Sequence, residues 1–331
     1  NVRPTAGNPR AVHVLHRGNI LDPRQEASPG ALPLPGKPQF QFNLPSGHRE
    51  ADRRAALARW ITDRDNPLTW RSIVNRVWLY HFGSGIVGSP NDFGRMGQRP
   101  THPQLLDWLA VEFRDGRQSL KDLHRLIVNS SVYRQDSAHD ARSAGIDGSN
   151  QWLWRMNRRR LEAEEIRDAI LAVSGRLDGT MGGPGFYLFN LEKTSHSPHY
   201  QYHKFDPADP RSHRRSIDRF VVRSQPDPFM TTLDCADSSQ STPQRDETMT
   251  ALQALSMLNN RFVLVMSEHF AQRLARDHQD LAAQVREAMN RIAGRPPTAR
   301  EQQQFEAYAR QHGLTNLCRV MFNFSEFVYL D

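Results

Sequence analysis

The chain has 331 residues, 38% of them hydrophobic and 24% charged, with a formal net charge of +7. That length allows one large domain or two ordinary ones, and no stretch approaches the roughly 18 consecutive apolar residues of a membrane helix. The basic excess is 39 arginines against four lysines (Lys37, Lys121, Lys193, Lys204), interleaved with Asp and Glu along the whole chain. A nucleic-acid binder more often concentrates such charge on one face, so this spread argues against nucleic acid as a partner.

The chain does not begin with Met, and "NVRPTAGNPRAVHVLHRG" reads as the interior of a longer polypeptide. Residues 1–47 are rich in proline and poor in apolar periodicity, an extended arm or the end of a preceding module. Residues 48–331 are expected to form a mainly α, multi-helix globular domain, with one long irregular insertion at about 178–246 holding little β structure.

The first expected helix carries Leu57, Trp60 and Ile61 at i, i+3, i+4. The second, in "NPLTWRSIVNRVWLYHF", has Thr69 as N-cap, Gly83 as C-cap, and a stripe of Ile73, Val77 and Tyr80 flanked by Val74, Trp78 and His81. Thr101 and Ser119 cap the next two, with stripes Leu105, Trp108, Leu109, Phe113 and Leu120, Leu123, Ile127. Residues 136–151 read as a loop, and 158–175 as a charged helix carrying Ile166, Ala169, Ile170 and Val173. Within the insertion "RRSIDRFVVRS" (214–224) is the expected strand. From 247 onward five helices follow, one opened by a Thr298–Glu301 capping box and the last spanning "LCRVMFNFSEFVYL".

Gly83, Gly85 and Gly88 spell G-x-G-x-x-G, the dinucleotide-binding pattern. That site needs a strand before the first glycine and a helix opening at the last. Here a helical period precedes and the turn "SPND" follows, so the glycines are expected to shape a helix–turn–helix corner.

Three groups of residues are candidates for chemistry. In "NRRRLEAEEIRDA", Arg159–Glu162 (i, i+3) and Arg160–Glu164 (i, i+4) suggest a salt-bridge lattice. Glu162 and Glu165, one turn apart, are alternatively a general acid–base pair, with Asp234 or Asp237 as further carboxylates. In "SHSPHYQYHKFD", His196, His199 and His203 have a metal-compatible spacing that Pro198 interrupts, and Tyr200 and Tyr202 offer faces for stacking on sugar rings. Around "RRSIDRFVVRSQPDPFMTTLDCADSSQSTPQRDETMTALQALSMLNN", Arg215, Arg223, Arg245, Gln253 and Asn259, with Arg159, form a polar rim suited to a ligand. Cys235 and Cys318 lie in neither a zinc-knuckle nor a haem-attachment context, and the sequence leaves their pairing open.

The stretch "NPLTWRSIVNRVWLYHFGSGIVGSPNDFGRMGQRPTHPQLLDWLAVEF" resembles the opening of a planctomycete-type domain of unknown function, the PSD family. The resemblance continues through "LHRLIVNSSVYRQDS", "WRMNRRRLEAEEIRDAILAVSGRLD", "DETMTALQALSMLNNRFV" and "GRPPTAREQQQF". It implies the C-terminal part of a large secreted or periplasmic protein, whose neighbouring modules include a c-type cytochrome and which acts in polysaccharide utilisation. Haem is then expected on the separate module, with no cofactor in this chain. The role implied is a binding or scaffolding module with a glycan as its candidate ligand; a carbohydrate-active hydrolase and nucleic-acid binding are the alternatives. The cysteine before the "QAL" helix sits earlier than in the family pattern, so no role for it carries over.

Overall fold

A computed structural model describes residues 9–33, 42–195 and 197–330. The chain divides into two compact units, Asn1–Arg134 and Gln135–Asp331, both mainly helical. No helix among the described residues is long and apolar enough to cross a membrane.

The first unit opens with an exposed antiparallel pair, β1 (His13–Leu15) and β2 (Pro23–Glu26). Four helices follow: α1 (Glu50–Ile61), α2 (Pro67–Phe82), α3 (Pro103–Asp115) and α4 (Leu120–Val128). Helix α2 packs on α3 and α4 and buries Trp70, Val74, Val77, Trp78 and Phe82. The expected stripe is therefore rotated: Tyr80 is half exposed. The cap also differs, because Pro67 suits the first helical position and Asn66 before it accepts from Leu68 N. Thr69 instead donates to the Ile61 carbonyl. In α3 the N-cap is His102, while Leu106, Leu109, Ala110 and Phe113 face inward and Trp108 is half exposed. Ser119 caps α4 as expected.

The glycine corner is built around one buried amide. Asn75 donates to the Val87 carbonyl at 3.0 Å and accepts from Val87 N at 2.8 Å, closing the turn onto α2. Gly83 ends α2 with φ +75°. A Cβ at Gly85 would lie 2.5 Å from the Val87 oxygen and 2.7 Å from Asn75 Nδ2, so that glycine admits the clamp.

The second unit contains α5 (Ala141–Ile146), a short helix where a loop was expected; Asp140 caps it by accepting from Ser143 N. Next come β3 (Arg159–Arg160) and α6 (Ala163–Ser174). The charged helix thus starts later than its sequence suggests: Glu162 is its N-cap and forms a capping box with Glu165. Arg159 and Arg160 lie outside it and pair with the chain's last strand.

The hairpin β4 (Asn190–Lys193) and β5 (Pro198–Gln201) is the insertion's regular β structure among the described residues. The expected strand at 214–224 is replaced by a 3-10 turn at Ser216–Asp218 and single bridges, Asp178 to Arg214 and Phe186 to Arg219. Helices α7 (Pro228–Thr232), α8 (Ala251–Asn259), α9 (Arg261–Asp277), α10 (Leu281–Ala293) and α11 (Ala299–His312) follow. The expected last helix is two, α12 (Leu314–Met321) and α13 (Ser325–Val328), ahead of β6 (Tyr329–Leu330).

The core of this unit joins α6, α9, α10 and α12 through fully buried Ile166, Ile170, Met266, Phe270, Met289 and Phe322. Each such side chain contributes about 1.5–3 kcal/mol on burial. This helical body fixes both ends of the insertion, between α6 and α8.

Candidate functional site

Two arrangements in the second unit bring candidate residues together. The first is a charge lattice. Arg160, only 8% exposed, pairs with Asp234 at 3.1 Å. Asp234 also accepts from Thr248 N at 2.8 Å and from Gln253 Nε2 at 2.9 Å. Arg245 lies 3.0 Å from Glu164 and 3.5 Å from Glu162. Arg159 holds Glu165 through two contacts of 3.2 Å, and Glu165 also accepts from Glu162 N. Arg219 donates to Cys235 Sγ at 3.0 Å, and that thiol lies 3.4 Å from Glu164.

The electrostatics follow from these partners. Burial pushes the Glu162 carboxyl up, against the opposing charge of Arg245. Burial acts on Glu164 in the same direction, but the charge and hydrogen bond of Arg245, with the Glu164 amide and the Cys235 thiol, together outweigh it and the carboxyl ends below its ordinary value.

The sequence-based pairing Arg160–Glu164 is thus replaced by Arg160–Asp234 and Arg245–Glu164, and Arg159 pairs with Glu165 rather than Glu162. The helix begins only after Glu162, so the i, i+3 and i, i+4 spacings do not apply upstream of it. Asp237 is exposed and accepts from Ser239 N and Gln240 within its own turn. Arg223 donates to the Ser239 carbonyl, Arg215 is exposed, and Asn259 accepts from Arg319. Cys235 and Cys318 are both free thiols. His199 lies on β5 and His203 in the 3-10 turn Tyr202–Lys204; His196 lies outside the described residues. Among the described residues no three His, Cys, Asp or Glu side chains are grouped to hold a metal ion.

The second arrangement is a cavity of about 290 Å³ lined by Tyr202, His203, Phe205, Phe229 and Phe262, together with Arg167, Asp227 and Asn260. Arg167 is 2% exposed, on the apolar stripe of α6. It donates to the Arg214 and Ser212 carbonyls and to Ser216 Oγ, and its guanidinium lies 5.2 Å from the Phe186 ring and 5.4 Å from Phe262. Burial lowers it to about 10, against the pull of Asp168, so it stays charged at neutral pH.

Asp227 caps α7: its Oδ1 accepts from Phe229 N at 2.8 Å and Met230 N at 3.1 Å. Its Oδ2 receives no hydrogen bond among the described residues. Burial pushes this carboxyl up, while those amides and Arg219 oppose the shift. Asn260 caps α9 through Oδ1, leaving its Nδ2 donor without a bond among the described residues. Tyr202 donates to the Gln225 carbonyl; burial, then Asp227, pushes its hydroxyl up to about 12. Tyr200 does not line the cavity; it packs edge-on at 5.0 Å against Phe189, the ring that also meets Tyr202.

Of the residues singled out from sequence, Tyr202 and His203 line this cavity. Arg167, Asp227, Asn260 and the three phenylalanines did not stand out. The signals that mark them are an arginine inside an apolar stripe, and Asp-Pro and Asn-Arg at helix starts.

The family model for PSD1, proteins of unknown function (DUF1553), matches residues 53–309, more than three quarters of the chain. The chain belongs to this family. The PSD1 match begins within α1 and ends within α11, so the lattice residues 159–253 and every cavity residue named above fall inside it. No curated protein and no solved structure matches the chain.

Proposed function

We propose that the second unit is a carbohydrate-binding module whose site is the cavity around Arg167 and Asp227. The observation that carries this reading is the composition of its wall. Four aromatic rings (Tyr202, Phe205, Phe229, Phe262) surround polar groups without a hydrogen bond among the described residues, Asp227 Oδ2 and Asn260 Nδ2. A sugar ring matches both features: its C–H face packs on aromatic rings, and its hydroxyls donate to a carboxylate and accept from an amide. Arg167 is flanked by Asp168 and Asp227, and Arg261, which also lines the cavity, lies 3.7 Å from Asp206, so each cation of the wall has a carboxylate beside it, which favours an uncharged ligand over a phosphate. The volume sits at the small end of the roughly 300–1,000 Å³ usual for ligand sites and suits one ring.

Glu162, Glu165 and Asp234 are occupied by caps and arginines, which supports binding over hydrolysis by those carboxylates. In this reading the module works outside the cytoplasm beside a c-type cytochrome module that carries the haem, as the likeness of its motifs to PSD proteins implies.

The test is a glycan array followed by calorimetry with the best saccharide, on wild type and Asp227→Asn. That change keeps an oxygen for the α7 cap and turns the unbonded acceptor into a donor. An affinity loss of about tenfold or more, equivalent to about 1.4 kcal/mol, is expected. Wild type binding nothing on the array, or D227N binding as wild type does, would overturn the proposal.

A further inference from the structure

A wider cavity of about 750 Å³, lined by Phe186, Tyr187, Phe189, Asn190 and Lys204, shares Phe205 with the inner one. Within residues 186–190, Leu188 lines the inner cavity, and Phe186, Tyr187, Phe189 and Asn190 line the outer one. Phe205 is therefore the common rim.

A row of rings starts from Tyr202, in the wall of the inner cavity. Phe189, only 4% exposed, is the hub; its centroid lies 5.4 Å from Tyr202, 5.2 Å from Tyr187 and 6.2 Å from Phe220. Tyr187 meets Phe220 at 5.1 Å, edge to face. These outer two rings are 51% and 48% exposed, although large apolar side chains gain by burial. The backbone next to Tyr187 is tied to that of Phe220: Phe186 N donates to the Asp218 carbonyl and Phe220 N to the Phe186 carbonyl, at 3.2 and 2.8 Å. Rings held by a buried hub and a backbone ladder lose little freedom when a ligand stacks on them, which makes them efficient binding surface. The ionic groups around the outer cavity are largely paired, Asp209 with Arg211 and Asp206 with Arg261, so its wall also suits an uncharged partner.

We infer that the ligand is an oligosaccharide rather than a single sugar. One unit occupies the inner cavity, the chain crosses Phe205 into the outer cavity, and a further unit stacks on Tyr187 and Phe220. Tyr187 and Phe220 are then the residues that read chain length. This inference rests on the carbohydrate reading of the inner cavity.

The test is calorimetric titration of the full chain with cello-, xylo-, manno- and chito-oligosaccharides, each from the monosaccharide to the hexasaccharide. In at least one series affinity should rise about tenfold or more between the monosaccharide and the tetrasaccharide. Tyr187→Ala and Phe220→Ala should each abolish most of that rise and leave monosaccharide binding unchanged, whereas Asp227→Asn should weaken every length. Tyr187→Leu, which preserves apolar contact with Phe189 but not the aromatic face, serves if the alanine variant melts early. If every sugar that binds does so as tightly in its monosaccharide form as in its hexasaccharide form, that result overturns this inference alone. So does undiminished hexasaccharide binding by folded Y187L and F220A. Loss of binding at every length in wild type overturns the carbohydrate reading together with it.

Discussion

Asp234→Ala tests whether the charge lattice holds the insertion in place rather than serving chemistry. Asp234 is the acceptor for Arg160 Nη1, Thr248 N and Gln253 Nε2, and its own backbone has φ +64°. Alanine removes every one of these acceptors and leaves Arg160, at 8% exposure, with the Thr248 carbonyl alone. Breaking one side of a buried ion pair costs about 3–5 kcal/mol, because the remaining charge is uncompensated. A non-glycine residue in the left-handed region adds about 1–2 kcal/mol where no side-chain hydrogen bond supports it. For a unit of this size each kcal/mol lowers Tm by about 2–4 °C, so a fall of about 10 °C or more is expected. Calorimetry or thermal circular dichroism reads this directly. Asp234→Asn, which keeps the shape and tolerates the backbone, should fall less. Asp237→Ala, touching only its own turn, should leave Tm unchanged. If D234A melts with wild type, or no lower than D237A, the lattice is not what secures this region.

Other outcomes follow from single contacts. Gly85→Ala should destabilise the first unit by about 1–3 kcal/mol through overpacking against the Asn75 clamp. Gly145→Ala, where a Cβ meets nothing within 4 Å inside a helix, should raise stability by about 0.5–1 kcal/mol; thermal melts of both variants check the pair. Glu301 is held down to about 2 from 4.5 by Arg295, then by the Thr298 amide and hydroxyl. Folding therefore favours its charged form, so its contribution is present above pH 4.5 and is lost as pH falls toward 2. Glu301→Gln should flatten the acid-unfolding curve across that window, and an unchanged curve would count against the assignment. Burial pushes both thiols up, but Cys318 is fully buried and Cys235 only partly. A thiol reagent should therefore modify Cys235 in the native protein and Cys318 only after denaturant is added.

The helices were readable where one signal spoke without competition. Ser119 with Asp122 and Thr298 with Glu301 place caps where the structure has them, and Gly83 ends its helix. Where two signals compete, the local one misleads. Thr69 is a good cap by type, but Pro67 fixes the start one turn earlier and Asn66 takes the role. Glu162 reads as helix interior because Arg158–Arg160 are good helix formers, yet the pairing of Arg159 and Arg160 with the far end of the chain draws them into a strand. The "RFVVR" run has strand composition, but Arg214 is committed to the Thr180, Gly182 and Pro184 carbonyls, and the backbone turns there. The cavity was the least legible feature. Tyr202 was within reach because aromatic residues on a polar loop stand out. The wall, however, is assembled from residues 167, 205, 227 and 260, whose meeting depends on the tertiary fold and on no local spacing.

The bonds from Arg160 to Asp234 and from Arg245 to Glu164 join positions 74 and 81 apart in the chain, so they act as clasps on one large closed loop. Loop-closure entropy grows only logarithmically, about 0.6 kcal/mol for each doubling of length. Insertions or deletions between the clasps therefore cost the helical body little. Such long-range closure also forms late in folding, after the local helix contacts, so loosening a clasp should shorten the lifetime of the folded state more than it slows its formation. The same framework can thus accept a quite different loop length and surface between the clasps while its core stays put.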